Sequence, residues 1–287
     1  MDPVRFFSRS VIHLRRSVAP SYLTRSPLTY SPAFRAFASR AMSTSSSIQE
    51  KLDILQNYSA CDVSDALLKL QKPADGSPAR AGHLADFTPF SPTLGRNTTT
   101  PKIIAPASTV KFIPKSASPS DYQEAKTELD PNKLFPTNHH WVDVAEPQTI
   151  VLIDQPLNQN CAVLGGIMAL RMARLNVKGV IVNGRIRDLA EIQGASLPVW
   201  AKSTSTVGTG AEAKAGLRNV RVDVGGVSVE PGDIVFADPL EGVVVIPRHL
   251  LDSVLEVMPR LVEMDESVKT AVESGMSVKE AFGKFRG

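Results

Sequence analysis

Two glycines, an arginine and two acids carry the chemistry this sequence can be expected to perform. Gly165-Gly166 is followed, after twenty intervening residues, by Arg187-Asp188, with Glu191 three positions further on. A glycine pair lets backbone approach a ligand closely, and free N–H groups at a helix start favour an anion. Arg187 offers a planar fork suited to a carboxylate. Asp188 offers hard oxygen, the ligand type that Mg²⁺ and Mn²⁺ take. Taken singly, Gly-Gly is also a loop signal and Arg-Asp also a surface pair. Their combination points to a 2-oxo acid bound together with a divalent cation.

The elements that must position these residues are legible around them. Residues 149–154 are a short apolar run, the pattern of a buried strand. From Gly166 to about Asn176 the spacing turns helical, with Met168, Ala169, Met172 and Leu175 on one face and Arg171, Arg174 and Lys178 on another. Residues 179–183 are again strand-like and are expected to end at the turn signal Asn183-Gly184. Strand, helix, strand implies a parallel pair with a crossover. In such sheets ligands gather at the carboxyl ends of strands and the N-termini of helices. The Gly165-Gly166 helix start and the segment from Gly184 to Asp188 are therefore expected to face one crevice.

Composition bounds what else the chain can be. The 287 residues allow one or two domains, and a hydrophobic fraction of 43% is globular. No apolar run is long enough to span a bilayer, so no membrane role is expected. Cys61 and Cys161 lack the spacing of a zinc site and are too few for a disulfide scaffold. The first 42 residues hold seven arginines, no lysine and the single acid Asp2, a surplus of +6 in a chain that nets +3. The remainder is therefore acidic by three charges, and no nucleic-acid footprint is expected on it. This leading segment has the composition of a mitochondrial transit peptide. A start at Met42 would instead leave the protein in the cytoplasm.

Residues 43–287 read as one α/β domain. A helix is expected over 49–55 and a second after Ser59, capped by Ser64 or Asp62. Residues 71–101 are expected to be mostly loop. Residues 102–112 read as two short strands broken by Pro106, and 113–147 as a surface insertion with one helix over 120–128. His139-His140 lies in that insertion. Neighbours on a strand point to opposite faces, which argues against a shared metal site there. Further strands are expected over 198–201, 234–237 and 242–246, a hairpin over 220–229, a tight turn at 230–233, and a helical segment after His249. Gly208-Thr209-Gly210 lacks the strand-to-helix context of a dinucleotide site and reads as plain loop. Lys202 could form a Schiff base, but a strand-end lysine is ordinarily solvated.

The ordered set of motifs resembles the metal-dependent 4-hydroxy-4-methyl-2-oxoglutarate aldolases, which share a fold with the RraA-type ribonuclease E inhibitors. It comprises Val63-Ser64-Asp65-Ala66-Leu67, Ala162-Val163-Leu164-Gly165-Gly166, Val182-Asn183-Gly184 with Arg187-Asp188, Pro231-Gly232-Asp233-Ile234-Val235, and Glu241-Gly242-Val243-Val244-Val245-Ile246-Pro247. The resemblance implies an RraA-like α-β-β-α sandwich with a central βαβ unit, assembled as homotrimers or hexamers with sites between subunits. It implies cleavage of a 2-oxo acid to pyruvate through an enolate stabilised by Mg²⁺ or Mn²⁺, with oxaloacetate decarboxylation as a companion activity. Residue by residue, Gly165, Gly166, Ile167, Met168 and Arg187 would bind substrate and Asp188 would hold the metal. Glu191 would orient a catalytic water, and Asp238 and Glu241 would reach toward a neighbouring subunit. The sequence departs from many members at Gly166 and Asn183, where those members carry acids. The alternative is a non-catalytic RraA-like regulatory binding protein, which has no need of the Arg187-Asp188 pair.

Overall fold

A computed structural model describes residues 47–73, 76, 78–122 and 130–286. The expected transit segment and most of the helix expected over 120–128 lie outside these residues; Pro119–Tyr122 is a 3₁₀ turn.

Two short helices open the described chain: α1 at Ile48–Leu55 and α2 at Ala60–Leu70. Each begins with a capping box, Ser47 with Glu50 and Ser59 with Asp62, so that side chains satisfy the first free backbone N–H groups. The cap of α2 is thus Ser59, one turn earlier than expected, with Asp62 answering it from the third helical position. The strands β1 (His83–Leu84) and β2 (Thr88–Ser91) follow within the stretch expected to be loop.

The strand β3 runs without interruption from Ile103 to Pro114. Pro106 does not break it. Ala107 N donates to Asp233 O (2.7 Å), so the alternation of a strand points the position-106 nitrogen to the other edge. Pairing on that edge begins only at Ala107, and the missing N–H forfeits nothing. The chain continues through β4 (Ile150–Asp154), α3 (Gly166–Arg174), β5 (Gly179–Ile186), α4 (Leu189–Gly194) and β6 (Val199–Thr204). Then come β7 (Ala213–Arg218), the hairpin β8 (Val222–Val224) with β9 (Val227–Val229), β10 (Ile234–Asp238) and β11 (Gly242–Ile246). The C-terminal helices are α5 (Leu251–Glu273) and α6 (Val278–Phe285).

Nine of the described strands form one mixed sheet, ordered β1-β11-β10-β3-β4-β5-β6-β2, with β7 paired to β3. The strands β3, β4, β5 and β6 are mutually parallel; β10, β11 and β7 run antiparallel to their neighbours. Period-two alternation sorts side chains into layers. Val151 and Ile153 of β4 pack with Ala169, Met172 and Ile192 of α3 and α4. Ile150 and Leu152, on its other face, pack with Val235, Ala237, Val243 and Val245 of β10 and β11. Ile234 and Phe236 then meet α1, α2 and α5 through Leu55, Val63 and Val254. Three apolar seams separate four layers, which is the expected α-β-β-α sandwich, and β3 passes from one sheet layer into the other.

Two expectations near the centre are corrected. The strand β5 does not stop at Asn183-Gly184. It runs to Ile186, with a register irregularity against β6 between Val182 and Arg185. The side chain of Gln155 enters this irregularity, accepting from Arg185 N (2.8 Å) and donating to Cys161 O (2.8 Å). A Cβ on Gly184 would lie 2.2 Å from Gln155 Oε1, so this glycine makes room for the plug rather than a turn. Nor is 113–147 merely a surface insertion. Its 3₁₀ turn at Trp141–Val144 packs on α3, and Trp141 meets Phe112 edge to face with ring centroids 5.4 Å apart.

Candidate active site

The chain brings the two halves of the motif together by strand-like pairing along the end of β5. Val163 N donates to Arg185 O (2.9 Å) and Arg187 N to Leu164 O (3.0 Å), with a parallel bridge between Leu164 and Ile186. The residues that lead into α3 therefore run beside those that lead into α4. Asp188 then adopts a left-handed backbone (φ 59°, ψ 47°), an uncommon conformation for a residue other than glycine. The Gly166 N–H at the start of α3 meets its Oδ2 at 3.3 Å, and Arg187 Nε lies 3.3 Å from the same oxygen.

Arg187 and Asp188 line a cavity of about 470 Å³ together with Gly165, Ile167 and Met168. Gly166 is buried behind that wall. Steric reasons enforce both glycines. A Cβ on Gly165 would stand 2.7 Å from Asp188 Oδ2, and one on Gly166 would stand 2.1 Å from Glu191 Oε2 and 2.4 Å from Glu191 Cβ. The Glu191 side chain thus fills the space over Gly166, on the first turn of α4, rather than forming part of the cavity wall. An acid at position 166 could not coexist with Glu191 in this position, which accounts physically for the departure at Gly166. At Asn183 the amide donates to Asp154 Oδ1 (2.8 Å), a contact that a second carboxylate could make only by holding a proton.

The Arg187–Asp188 pair is exposed at 44% and 36% of its side-chain surfaces. Such pairs contribute roughly 0–1 kcal/mol, so Arg187 can exchange its partner for a substrate carboxylate at little cost. Arg185, by contrast, is committed to the framework through Ser203 Oγ (2.9 Å), Thr204 O (3.1 Å) and Gln159 O (3.4 Å). Asp238 is buried and spends one oxygen on the Leu240 and Glu241 N–H groups of its own turn, while Glu241 accepts from Cys61 Sγ at 3.2 Å. The ammonium of Lys202 sits 5.5 Å from the centre of the Phe87 ring and does not line the cavity.

The donor chemistry fits a divalent cation of the magnesium type. Among the described residues no three His, Cys, Asp or Glu side chains converge. Asp188, however, presents a hard carboxylate to an open cavity, and its two contacts are both long at 3.3 Å. Mg²⁺ is commonly held by one or two carboxylates, keeping waters and taking substrate oxygens for the rest.

Sequence reasoning missed the opposite wall. His139, His140 and Trp141 line the same cavity, and so do Thr209, Gly210 and Lys214. His139 and His140 lie at the entry to a 3₁₀ turn rather than on a strand, so the argument from opposite strand faces does not apply to them. The segment Gly208-Thr209-Gly210 is a loop, as expected, but it is pinned to the site: Thr209 Oγ1 donates to Ala162 O (2.6 Å), and a Cβ on Gly208 would lie 2.9 Å from Arg187 Nη1. No spacing in the sequence signals these neighbours, because the contacts span tens of residues.

Comparison with known proteins points the same way. The profile of the RraA-like family, described as Aldolase/RraA, matches residues 60–245. Protein DlpA of Legionella pneumophila is 26% identical over 230 residues, which are 80% of this chain and 33% of that protein. A Halalkalibacterium halodurans protein named "Putative 4-hydroxy-4-methyl-2-oxoglutarate aldolase" is 27% identical over 140 residues, 48% of this chain and 65% of that one. The chain thus spans less than two thirds of either relative. Streptomyces coelicolor RraAS2, described as an unusual member of the RNase ES inhibitor RraA protein family, shares the fold. Its TM-score is 0.56 at 22% identity, covering 76% of this chain and 94% of that one.

Proposed function

This chain belongs to the RraA-like Aldolase/RraA family, and from that premise we propose that it is a divalent-metal-dependent lyase acting on 2-oxo acids. It cleaves 4-hydroxy-4-methyl-2-oxoglutarate-type aldols to pyruvate and decarboxylates oxaloacetate. One observation carries the reading: an exchangeable arginine, a hard carboxylate and a glycine-opened helix start converge on one open cavity.

The chemistry follows from those groups. Arg187 pairs with the substrate carboxylate through its fork and fixes the 2-oxo group relative to Asp188. Breaking the bond between C3 and C4 of the aldol, or releasing CO₂ from oxaloacetate, leaves negative charge on the 2-oxo oxygen. The start of α3, where Gly165 supplies no side-chain cap, borders that region and places the positive end of the helix dipole beside the charge. A divalent cation held by Asp188 supplies Lewis-acid stabilisation of the same charge when bound. Glu191 lies under the start of α3 and holds Gly166 against α4, a positioning role. Exposed Ile167 and Leu170, one turn apart on α3, leave apolar surface on and beside the cavity wall, which supports a homotrimer or hexamer with sites near subunit boundaries.

The test is pyruvate release from oxaloacetate and from 4-hydroxy-4-methyl-2-oxoglutarate, after EDTA treatment and again with Mg²⁺ or Mn²⁺. Release should vanish with EDTA, return with metal, and leave no borohydride-trapped adduct on Lys202. Rates no higher than those of free Mg²⁺ would remove the enzyme reading and leave the non-catalytic regulator.

A further inference from the structure

Pyruvate has only six heavy atoms, and the Arg187 end of the cavity accounts for it. The whole cavity measures about 470 Å³, a size that elsewhere holds ligands several times larger. The rest of its wall is of two kinds. Phe135, Trp141 and Met168 present apolar, largely aromatic surface, with Phe112 set against Trp141 at an interplanar angle of 83°. Beside them, His139, His140 and Lys214 are exposed and line the same space, while Asp188 is the only acid among the described lining residues. His140 Nδ1 accepts from Val142 N at 3.4 Å, which leaves Nε2 as the N–H donor of the neutral ring.

This wall is anchored. Arg171 Nε donates to Asp143 Oδ1 (2.7 Å), Lys133 Nζ to Asn219 O (2.6 Å) and Arg218 Nε to Asn132 O (3.1 Å). The segment that carries Phe135 and Trp141 is therefore held in place before any ligand arrives, which lowers the ordering cost of binding.

We infer that the wall selects a 2-oxo acid whose leaving fragment is an aromatic aldehyde bearing a second carboxylate. The ring lies against Trp141 and Met168, and the far carboxylate meets His139, His140 and Lys214. The inference rests on the aldolase reading of the Arg187 end. In the reaction the C3–C4 bond breaks, the C4 hydroxyl gives up its proton as it becomes the aldehyde carbonyl, and C3 takes one proton. Pyruvate and the aryl aldehyde leave with no net gain or loss of atoms or electrons.

Binding and turnover test it separately. Calorimetry on the full chain with Mg²⁺ uses three 2-oxo acids that lack the C4 hydroxyl and cannot undergo cleavage: 2-oxobutanoate, 4-phenyl-2-oxobutanoate and 4-(4-carboxyphenyl)-2-oxobutanoate. Adding the ring should tighten binding by about tenfold, as an offset or edge-to-face aromatic contact does. Adding the carboxylate should give about threefold more, lost at high salt because the basic groups are exposed. Trp141→Ala should remove the first step, and Lys214→Met with His139→Gln the second, with 2-oxobutanoate unaffected by either. Equal affinity for all three acids overturns the inference, and so does an equal loss for all three in Trp141→Ala. Should Trp141→Ala fail to fold, Trp141→Leu and the Lys214 variant decide the same question. Selective binding of the aryl acid without pyruvate release from its hydroxylated aldol would sink the aldolase reading and keep the wall. Pyruvate release from oxaloacetate without aryl selectivity would do the reverse.

Discussion

Replacing Asn183 by Asp should make the stability of this protein strongly dependent on pH. Asn183 Nδ2 donates to Asp154 Oδ1 at 2.8 Å. Burial pushes the Asp154 carboxyl above its usual range, and the nearby Asp223 adds to this; the Asn183 bond, Lys111 and Lys202 work in the opposite direction. Asn183→Asp removes the donor and sets a second carboxylate in its place. Two such charges about 4 Å apart repel by about 4 kcal/mol at an effective dielectric near 20. The pair can escape by keeping one proton, at about 1.36 kcal/mol for each pH unit above the ordinary Asp value near 3.9. At pH 5 that route costs roughly 1.5 kcal/mol and is taken; at pH 7.5 it costs more than the repulsion, so the loss levels near 4 kcal/mol. The sign is fixed by linkage. A carboxyl whose folded pKa is raised holds its proton more tightly in the native state, so its contribution is intact below the unfolded value and is lost as pH rises. Urea unfolding of Asn183→Asp and the parent at pH 5.0 and 7.5, followed by tryptophan fluorescence, reads the difference directly. Asn183→Ala is the control: it removes the bond that favours the charged Asp154 without adding a charge, so it should lose about 1 kcal/mol with a pH slope much shallower than that of Asn183→Asp. An Asn183→Asp penalty that is equal at the two pH values, or larger at pH 5.0, refutes the account of this buried pair.

Other perturbations test the site and its surroundings. Arg187→Lys keeps charge but loses the fork, and on oxaloacetate its KM should rise about 10- to 100-fold, the equivalent of one charge-assisted contact. Asp188→Asn should instead lower kcat and recover in part across a Mg²⁺ series; identical metal responses of the two variants would contradict the division of roles. Gly208→Ala places a Cβ 2.9 Å from Arg187 Nη1, so KM should rise about tenfold while the melting temperature stays fixed, and an unchanged KM would show that the guanidinium is not held where substrate needs it. The Cys61 thiol is pushed up to about 11, first by burial and then by its bond to Glu241 and that residue's charge. At pH 8 only about one molecule in a thousand carries the thiolate, so iodoacetamide should label Cys61 far more slowly than a peptide thiol, with partial recovery in Glu241→Gln. Labelling at the ordinary peptide rate, read by mass spectrometry of the Cys61 peptide, would contradict this.

The parts of the molecule governed by short-range pattern were legible in the sequence. Runs such as Ile150–Asp154 and Ile234–Asp238 announced buried strands, and the alternation within them proved to assign each residue to one of two apolar seams. The convergence of the α3 start with Arg187 and Asp188 also followed from the strand–helix–strand order. What failed had a common origin in tertiary override. Asn183-Gly184 is a good turn signal locally, but Gln155 occupies the place where a turn would fold back. Pro106 reads as a strand breaker until the edge it faces is known to lack a partner. The wall formed by Phe135, His139 and Trp141 looked like surface because its segment is rich in proline and charge. Its anchors, Asn219, Arg218 and Arg171, come from far along the chain.

The passage of β3 between the two sheet layers also bears on how the molecule opens. Its first residues pair with β10, its middle with β4 and its end with β7. Neither half of the sandwich can detach as a separate foldon without tearing the same strand, so partial opening of one half exposes the inter-sheet seam of the other. Local fluctuations should then be confined to the periphery, to α6 and the two-residue β1, while the amides of β3 exchange with solvent only when the whole domain unfolds. Because β3 gathers partners more than a hundred residues distant, most of that network must be assembled before it is rewarded, which makes for slow folding and, once folded, a single cooperative unit.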